Sequence, residues 1–204
     1  MNSSRAIDWS REVRCFKEVQ WVVRVVEDTA RDTTSTIRVG EQGMKQEYKL
    51  DKWIWTEADF DVMGWHDSQI HAMAFFPEDF ELVLDIDYIF EWIDPQPNET
   101  YFKFWVAPAT LVFKNVHDVE FAIDSYNGKL EIDNLKRQDE SSPINAEFIG
   151  NASEWLWTID CQEGEIRFRS VGYEQFIRTA PQLTQSQTLD RKAEGISITR
   201  GRVD

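Results

Sequence analysis

The chain contains few of the residues from which common catalytic and metal centres are built. Its 204 residues include only two cysteines, Cys15 and Cys161, and three histidines. Two cysteines this far apart form neither a disulfide framework nor a metal-ligand spacing. The sequence also lacks a phosphate-binding loop, a dinucleotide-binding fingerprint and the Gly-x-Ser-x-Gly turn of serine hydrolases. Enzyme classes that depend on those motifs are excluded, and we expect no cofactor.

Long hydrophobic runs are absent as well. No apolar stretch approaches the ~18–20 residues that a membrane-spanning helix requires. The first ten residues, Met-Asn-Ser-Ser-Arg-Ala-Ile-Asp-Trp-Ser, lack the apolar centre of a secretory signal. We therefore expect a cytoplasmic protein that does not bind a membrane.

Basic residues are scarce relative to acidic ones. The chain has 22 Lys and Arg against 37 Asp and Glu, for a net charge of −15. The imbalance is confined to residues 44–180, since the segments on either side are close to neutral. Such a surface repels phosphate backbones, so no nucleic-acid partner is expected. The acidic surface either aids solubility or attracts a basic protein partner.

Aromatic and alternating apolar residues are abundant. Nine Trp and thirteen Phe accompany short alternating segments that are separated by turn residues every ~8–12 positions. This pattern predicts an all-β fold, either an antiparallel β-sandwich or an open barrel of about 8–10 short strands. A short helical turn is predicted near residues 56–63, with Thr56 as N-cap and Asp59 at the capping-box position.

Two β-hairpins are predicted from their turns. Asn127 and Gly128 are the residues that a type I′ turn favours, so the segments 119–123 and 130–132 are expected to pair with each other. The segment 160–166 predicts a second hairpin with a tight turn at Gln162-Glu-Gly-Glu.

The chain is predicted to contain one domain with two extensions. Residues 27–43 have linker composition, and residues 181–204 are rich in Gln, Thr and Ser. We therefore expect a loosely ordered N-terminal extension at 1–43, a single β domain at 44–180 and a weakly ordered C-terminal tail at 181–204.

The stretch 63–75 holds the first group of candidate site residues. His66, Asp67 and His71 are three zinc-type ligands close in sequence. On a strand, however, His66 and His71 face opposite sides of the sheet, and they can share an ion only if Asp67-Ser68 forms a turn. Adjacent residues also do not converge as a Ser-His-Asp triad. We interpret the stretch as structural, with Trp65 anchored in the core and Asp67 satisfying a turn.

Carboxylates and tryptophans on later strands form the second group. Asp85 and Asp87 share a strand face with Glu81, and paired carboxylates can hydrolyse glycosides or bind calcium. A solvated amphipathic strand gives the same alternation, and it is the favoured interpretation. Four tryptophans are candidates for a sugar-stacking platform, although at least half of them are expected to face the core: Trp92, Trp105, Trp155 and Trp157.

The motif Trp65-His66-Asp67, followed by Ile70, Phe75 and Leu82-Val-Leu-Asp-Ile-Asp, resembles an uncharacterised bacterial β-rich family with a Trp-His-Asp turn. Members of that group are similar to immunity proteins of polymorphic-toxin systems, which bind and neutralise a cognate toxin. The resemblance covers residues 45–178 and implies a role without implying a catalytic residue.

Together these features predict a non-enzymatic, acidic protein-binding domain, in the manner of an immunity protein. The alternative is a β-sandwich carbohydrate-binding module or hydrolase that uses Trp and carboxylate side chains. The candidate binding residues under these hypotheses are Trp65, His66, Asp67, Asp85, Asp87, Trp92 and Trp105.

Overall fold

The computed structural model describes residues 47–191 and 195–203, and nearly all of its regular elements are antiparallel strands. The all-β prediction is therefore confirmed. The strands are β1 (Ile54–Thr56), β2 (Ser68–Phe76), β3 (Glu81–Ile93), β4 (Lys103–Lys114), β5 (His117–Ile123), β6 (Leu130–Ser141), β7 (Glu154–Cys161), β8 (Gly164–Ser170), β9 (Gly172–Ile177) and β10 (Gln182–Thr184). A 3₁₀ helix, Glu57–Val62, and one turn of α-helix, α1 (Ala146–Ile149), complete the elements.

The strands form one sheet in the order β1-β9-β4-β3-β2-β6-β7-β8-β5, and β10 pairs with β4. The longest ladder joins β3 to β4, from Leu82 opposite Phe113 to Ile93 opposite Lys103. Beyond the end of β9, β10 takes its place against the same edge of β4, opposite Phe104 and its neighbours.

This sheet curls until its two halves face each other. Four strands separate β4 from β8, so their centres would lie about 24 Å apart in a flat sheet with ~4.8 Å between strands. Yet the rings of Phe113 on β4 and Phe168 on β8 are 4.7 Å apart, and Phe113 also touches Trp157 on β7 at 5.4 Å. The sheet thus encloses its own core, but it does not close into a barrel.

The inner face of the curled sheet contains the apolar residues of β3 that the alternation along this strand predicts to share one face. Leu82, Leu84 and Ile86 are fully buried, and Tyr88 is 5% exposed. Burial raises the pKa of Tyr88 to about 12. The inner side chains of β4, β7, β8 and β9 complete the core: Leu111, Phe113, Trp157, Ile159, Ile166, Phe168, Tyr173 and Ile177.

The predicted helical turn is confirmed as the 3₁₀ helix that precedes β2. The backbone N–H of Thr56 donates to Asp59 Oδ2 at 2.8 Å, as a capping box requires. Phe60 on this helix packs edge-on against Trp157 at 5.4 Å. The helix therefore covers one end of the core.

The first predicted hairpin is wrong. Strand β5 pairs with β8, while β6 pairs with β7 and β2, so the segments 119–123 and 130–132 are not neighbours. Gly128 does have a positive φ of 75°, but Asn127 does not adopt the second positive φ of a type I′ turn. Its side chain instead accepts the N–H of Lys129 at 2.9 Å, which forms an open loop that crosses to another strand.

The second predicted hairpin is confirmed, since β7 and β8 pair from Trp155 opposite Ser170 to Cys161 opposite Gly164. The prediction for residues 1–43 falls outside the described residues. In the C-terminal range, where weak order is predicted, the described residues contain β10 and then run along the outer face of β3 and β4. No helix in the described ranges is long and apolar enough to cross a membrane.

Candidate functional site

Trp65 lies in the core and is not available at the surface. The residue is 2% exposed, and its indole N–H donates to Gln175 Oε1 at 2.8 Å. Its ring makes edge contacts with Tyr173 at 5.4 Å and Tyr88 at 6.3 Å. Trp65 thus joins β9 and β3 to the loop before β2.

Asp67 and His66 form the turn into β2, where His66 Nε2 lies 3.5 Å from Asp67 Oδ1. Asp67 has a φ of 61°, and its backbone N–H donates to the Ile132 carbonyl at 2.8 Å. Burial raises the pKa of the Asp67 carboxyl, and its Oδ2 accepts the Gln187 amide at 2.6 Å. The His66 ring is 61% exposed and stacks on Trp92, with 6.1 Å between the ring centroids.

The two histidines of the candidate zinc site have separate partners. His66 Nδ1 lies 3.0 Å from the Asp133 carbonyl, whereas His71 Nε2 lies 2.9 Å from Asp87 Oδ2. Within residues 47–191 and 195–203, no three His, Cys, Asp or Glu side chains are grouped to hold a metal ion. The structure therefore does not bring His66, Asp67 and His71 together as ligands.

Asp85 and Asp87 are buried, so the interpretation of a solvated amphipathic strand is wrong for them. Both are 0% exposed on the outer face of β3. The C-terminal segment, by which we mean residues 181–191 and 195–203, covers this face. Leu189 N–H donates to Asp87 Oδ2 at 2.9 Å, and Ser197 N–H donates to Asp85 Oδ2 at 2.8 Å. Glu81, at the end of the same face, pairs with exposed Arg200.

Arg178 neutralises Asp85. Its Nη2 donates to Asp85 Oδ1 at 2.6 Å, and the arginine side chain is 3% exposed. Its Nη1 donates to the carbonyls of Ala109 and Ser197 at 3.0 and 2.7 Å and to Thr110 Oγ1 at 2.8 Å. One guanidinium therefore joins β3, β4 and the C-terminal segment.

Arg191 neutralises Asp87 from the other side. Its Nη2 and Nε donate to Asp87 Oδ1 at 2.6 and 2.9 Å, and Nη2 also reaches Asp85 Oδ1 at 3.2 Å. Burial alone raises the pKa of Asp87, but the hydrogen bonds from His71, Leu189 and Arg191 outweigh it and hold that pKa below its usual value. We call Asp85, Asp87, Arg178, Arg191 and His71 the ion network.

The ion network is suited to fastening the C-terminal segment rather than to catalysis. Each carboxylate already accepts hydrogen bonds from a guanidinium and from a backbone N–H. A general acid or base must reach a substrate, and a calcium ligand needs free oxygen atoms. Asp85 and Asp87 therefore cannot serve as the carboxylate pair of the hydrolase hypothesis in this arrangement.

The main exposed aromatic cluster lies at the C-terminal end of β3. Trp92 and Phe102 are each 42% exposed, and Tyr101 is 78% exposed. The Trp92 ring packs edge-on against Phe102 at 6.0 Å and against buried Phe104 at 5.1 Å. We call Trp92, Tyr101, Phe102 and the stacked His66 the aromatic surface.

The aromatic surface borders an open cleft of about 550 Å³. Amide and hydroxyl side chains of the C-terminal segment form its other wall, namely Gln185, Ser186 and Gln187. Exposed carboxylates lie near it, since Asp94 follows Trp92 by two residues on the chain and Asp133 is 3.5 Å from His66. The surface thus combines an apolar centre with a negatively charged border.

The four tryptophans of the sugar-platform hypothesis lie in different environments. Trp105 is 5% exposed and packs on Tyr48 at 5.3 Å, and Trp157 is fully buried. Trp155 is half-buried under the guanidinium of Arg137, 4.9 Å from its ring centroid. Trp92 is the exposed member of the four, so the expectation that at least half face the core is confirmed.

Several residues of the ion network and the aromatic surface could not be identified from the sequence. Arg178 and Arg191 lie 93 and 104 residues from their carboxylate partners, and no local pattern links such positions. Tyr101 and Phe102 follow the Pro-rich loop, where alternation gives no orientation. Their position next to two aromatic strand residues is the one signal that the sequence offers.

No protein-family model, curated protein or solved structure matches the chain.

Proposed function

We propose that this chain is a non-enzymatic, acidic protein-binding domain that contacts its partner through the aromatic surface. The observation that supports this most directly is the exposure of Trp92 and Phe102, each 42%, beside Tyr101 at 78%. Tryptophan and tyrosine are enriched among the residues that dominate binding energy at protein interfaces. A central aromatic group with a polar border is also the usual arrangement of such interfaces.

The partner we propose is a basic protein in the cytoplasm. The segment 44–180 carries 11 basic and 27 acidic residues, and carboxylates border the aromatic surface. Complementary charge raises the association rate and rejects acidic competitors, while the rings provide affinity after water is excluded. The resemblance at Trp65-His66-Asp67 to immunity-like proteins supports a toxin as that partner, which this domain would neutralise by binding.

The test is a binding measurement with the protein encoded beside this gene, because toxin and immunity genes would be neighbours. We expect binding by calorimetry, with an association rate that falls as salt is raised from about 0.05 to about 0.5 M. Trp92→Ala should weaken the affinity at least ~30-fold, which corresponds to the ~2 kcal/mol of an interface hot spot.

Tyr126→Ala is the matched control. Tyr126 is 99% exposed on the crossing loop between β5 and β6, outside the group of residues that forms the aromatic surface. We expect this variant to bind as the wild type does. An unchanged affinity for Trp92→Ala would show that the aromatic surface is not the interface. If the neighbouring protein arrests growth and co-expression of this chain gives no protection, toxin neutralisation is wrong.

A second candidate function is carbohydrate binding, which the aromatic cleft favours. Sugar rings stack on exposed aromatic faces, and the amide side chains of Gln185 and Gln187 line the opposite wall. Titration with chitohexaose and cellohexaose, followed by Trp fluorescence, separates the candidates. Saturable quenching that Trp92→Ala abolishes would support a carbohydrate-binding module and replace the protein-binding proposal.

A further inference from the structure

The curled sheet leaves two strand edges without partners at one place. Strand β2 pairs with β6 only through Ser68, Gln69 and Ile70, so the same edge of residues 71–76 has no partner strand within the described residues. Strand β5 is the last strand of the sheet order and pairs only with β8 in that part of the chain. Unpaired edges present rows of backbone donors and acceptors.

These two edges lie alongside each other. At one end the N–H of Val116, just before β5, donates to the Phe80 carbonyl at 2.7 Å. At the other end β2 is held to the start of β6 by the pairing of Ile70 with Leu130. Between these ends the rings of Phe75 and Phe121 meet at 6.0 Å. We call the space between residues 71–76 and β5 the slot.

The mouth of the slot is apolar and open to solvent. Phe75, Phe80 and Phe121 are 47%, 60% and 50% exposed. A cavity of about 210 Å³ lies beside them, lined mainly by apolar side chains: Phe75, Phe76, Pro77, Phe80, Val116 and Val119. Contiguous exposed apolar groups of this kind mark interaction sites more often than they occur on inert surfaces.

The charges around the slot select the kind of partner. Asp118 and Glu120 on β5 are 77% and 75% exposed, and Glu78 and Asp79 on the nearby turn are also exposed. A second copy of this chain would bring its own four carboxylates against these, which is unfavourable. A segment with Lys or Arg at alternate positions instead pairs with them and places its apolar residues over the phenylalanines.

We propose that the slot binds an extended basic segment of another protein, which adds a strand to the free edge of β5. The N–H of Asp124 donates to Glu163 on the β8 side at 2.8 Å. Because alternate residues of an antiparallel strand face alternate neighbours, the backbone groups of Ile123 and Phe121 face the slot. Strand addition uses such groups for affinity and side-chain contacts for specificity.

This binding site is separate from the aromatic surface. Phe80, at the mouth of the slot, precedes β3 and Trp92 lies near its other end, so these two residues are about 40 Å apart along the strand at ~3.3 Å per residue. A protein partner that used both would contact opposite ends of the sheet.

The experiment uses the full chain and a fluorescein-labelled octapeptide of alternating Lys and Val. We expect saturable binding by fluorescence anisotropy and slower hydrogen exchange at the amides of Phe121 and Ile123. Two peptides of equal charge are the matched controls: one with its four lysines and four valines in separate blocks, and one with N-methyl groups on alternate amides. Each should bind at least ~10-fold more weakly, because strand addition needs both the alternation and the backbone donors.

The second part of the experiment measures peptide binding by variants of the protein. Glu120→Lys should weaken binding of the alternating peptide, whereas Trp92→Ala should leave it unchanged, so the result does not depend on the aromatic surface. Equal binding of the N-methylated peptide would overturn the proposal by showing adsorption through charge alone. Dimerisation of the chain that Phe121→Glu abolishes would overturn it in favour of a second copy in the slot.

Discussion

Replacement of Arg178 by methionine tests how strongly the ion network fastens the C-terminal segment. Methionine fills the volume of the aliphatic part of the arginine side chain but supplies no charge and no donor. The Arg178→Met variant would leave Asp85, which is 0% exposed, without its 2.6 Å partner. The carbonyl of Ser197 and the hydroxyl of Thr110 would each lose a hydrogen bond as well.

The contacts around Asp85 determine how much unfolding free energy the Arg178→Met variant should lose. Removal of one partner of a buried ion pair costs ~3–5 kcal/mol, since an uncompensated charge remains. Asp85 would still accept a hydrogen bond from Arg191 at 3.2 Å and from the Ser197 N–H at 2.8 Å. The loss should therefore fall at the lower end of that range, about 3 kcal/mol of unfolding free energy. That is a large share of the ~5–15 kcal/mol that stabilises a typical domain.

Urea unfolding followed by Trp fluorescence measures this change. Arg200→Met is the control, because Arg200 is 41% exposed in its pair with Glu81 and should contribute less than ~1 kcal/mol. The double variant Asp85→Asn, Arg178→Met should lose less than the sum of its single variants, since it leaves no carboxylate at position 85 without its arginine. A loss of unfolding free energy below ~1 kcal/mol for Arg178→Met, with an unchanged slope of that free energy against urea concentration, would refute the argument.

Two further predictions concern single residues. The pKa of Asp87 is lowered in the folded state, so its carboxylate stabilises the fold above the unfolded value of ~3.9, and this contribution is lost as the pH falls through the folded pKa. Asp87→Asn should therefore flatten the decrease in unfolding free energy below pH ~4, and parallel urea-unfolding profiles for variant and wild type would contradict this. Trp65→Ala should cost ~3–5 kcal/mol, because it removes a buried ring and leaves Gln175 Oε1 without its donor; an unchanged melting temperature would refute a core role.

Alternation along the chain predicted which residues share a face, but not what covers that face. On β3 it correctly placed Leu82, Leu84 and Ile86 together, and these form the core. It also placed Asp85 and Asp87 together on the other face, where a polar strand face normally meets water. Burial of these carboxylates depends on arginines about a hundred residues away, a distance over which local patterns carry no information.

Turn preferences were equally local. Asn127-Gly128 correctly marked a reversal, and Gly128 has the expected positive φ. Which strands then pair is set by burial of Val119 and Ile123 against the core, and β8 offers the matching edge. Of the aromatic surface, only His66 and Trp92 were among the candidate binding residues. A bulge between Ile89 and Glu91 shifts the alternation there, so Trp92 shares a face with Ile89 and lies opposite Phe104.

The position of Arg178 and Arg191 in the chain has a consequence for synthesis on the ribosome. Strands β2, β3 and β4 emerge early, but their buried carboxylates, Asp85 and Asp87, meet their arginines only after residues 178–191 have been made. Until then the outer face of β3 carries two uncompensated negative charges and exposes Ile89 and Val106, which the later segment covers. Folding of this sheet is thus expected to finish late in translation, and a nascent chain stalled before residue 178 is expected to need protection from aggregation.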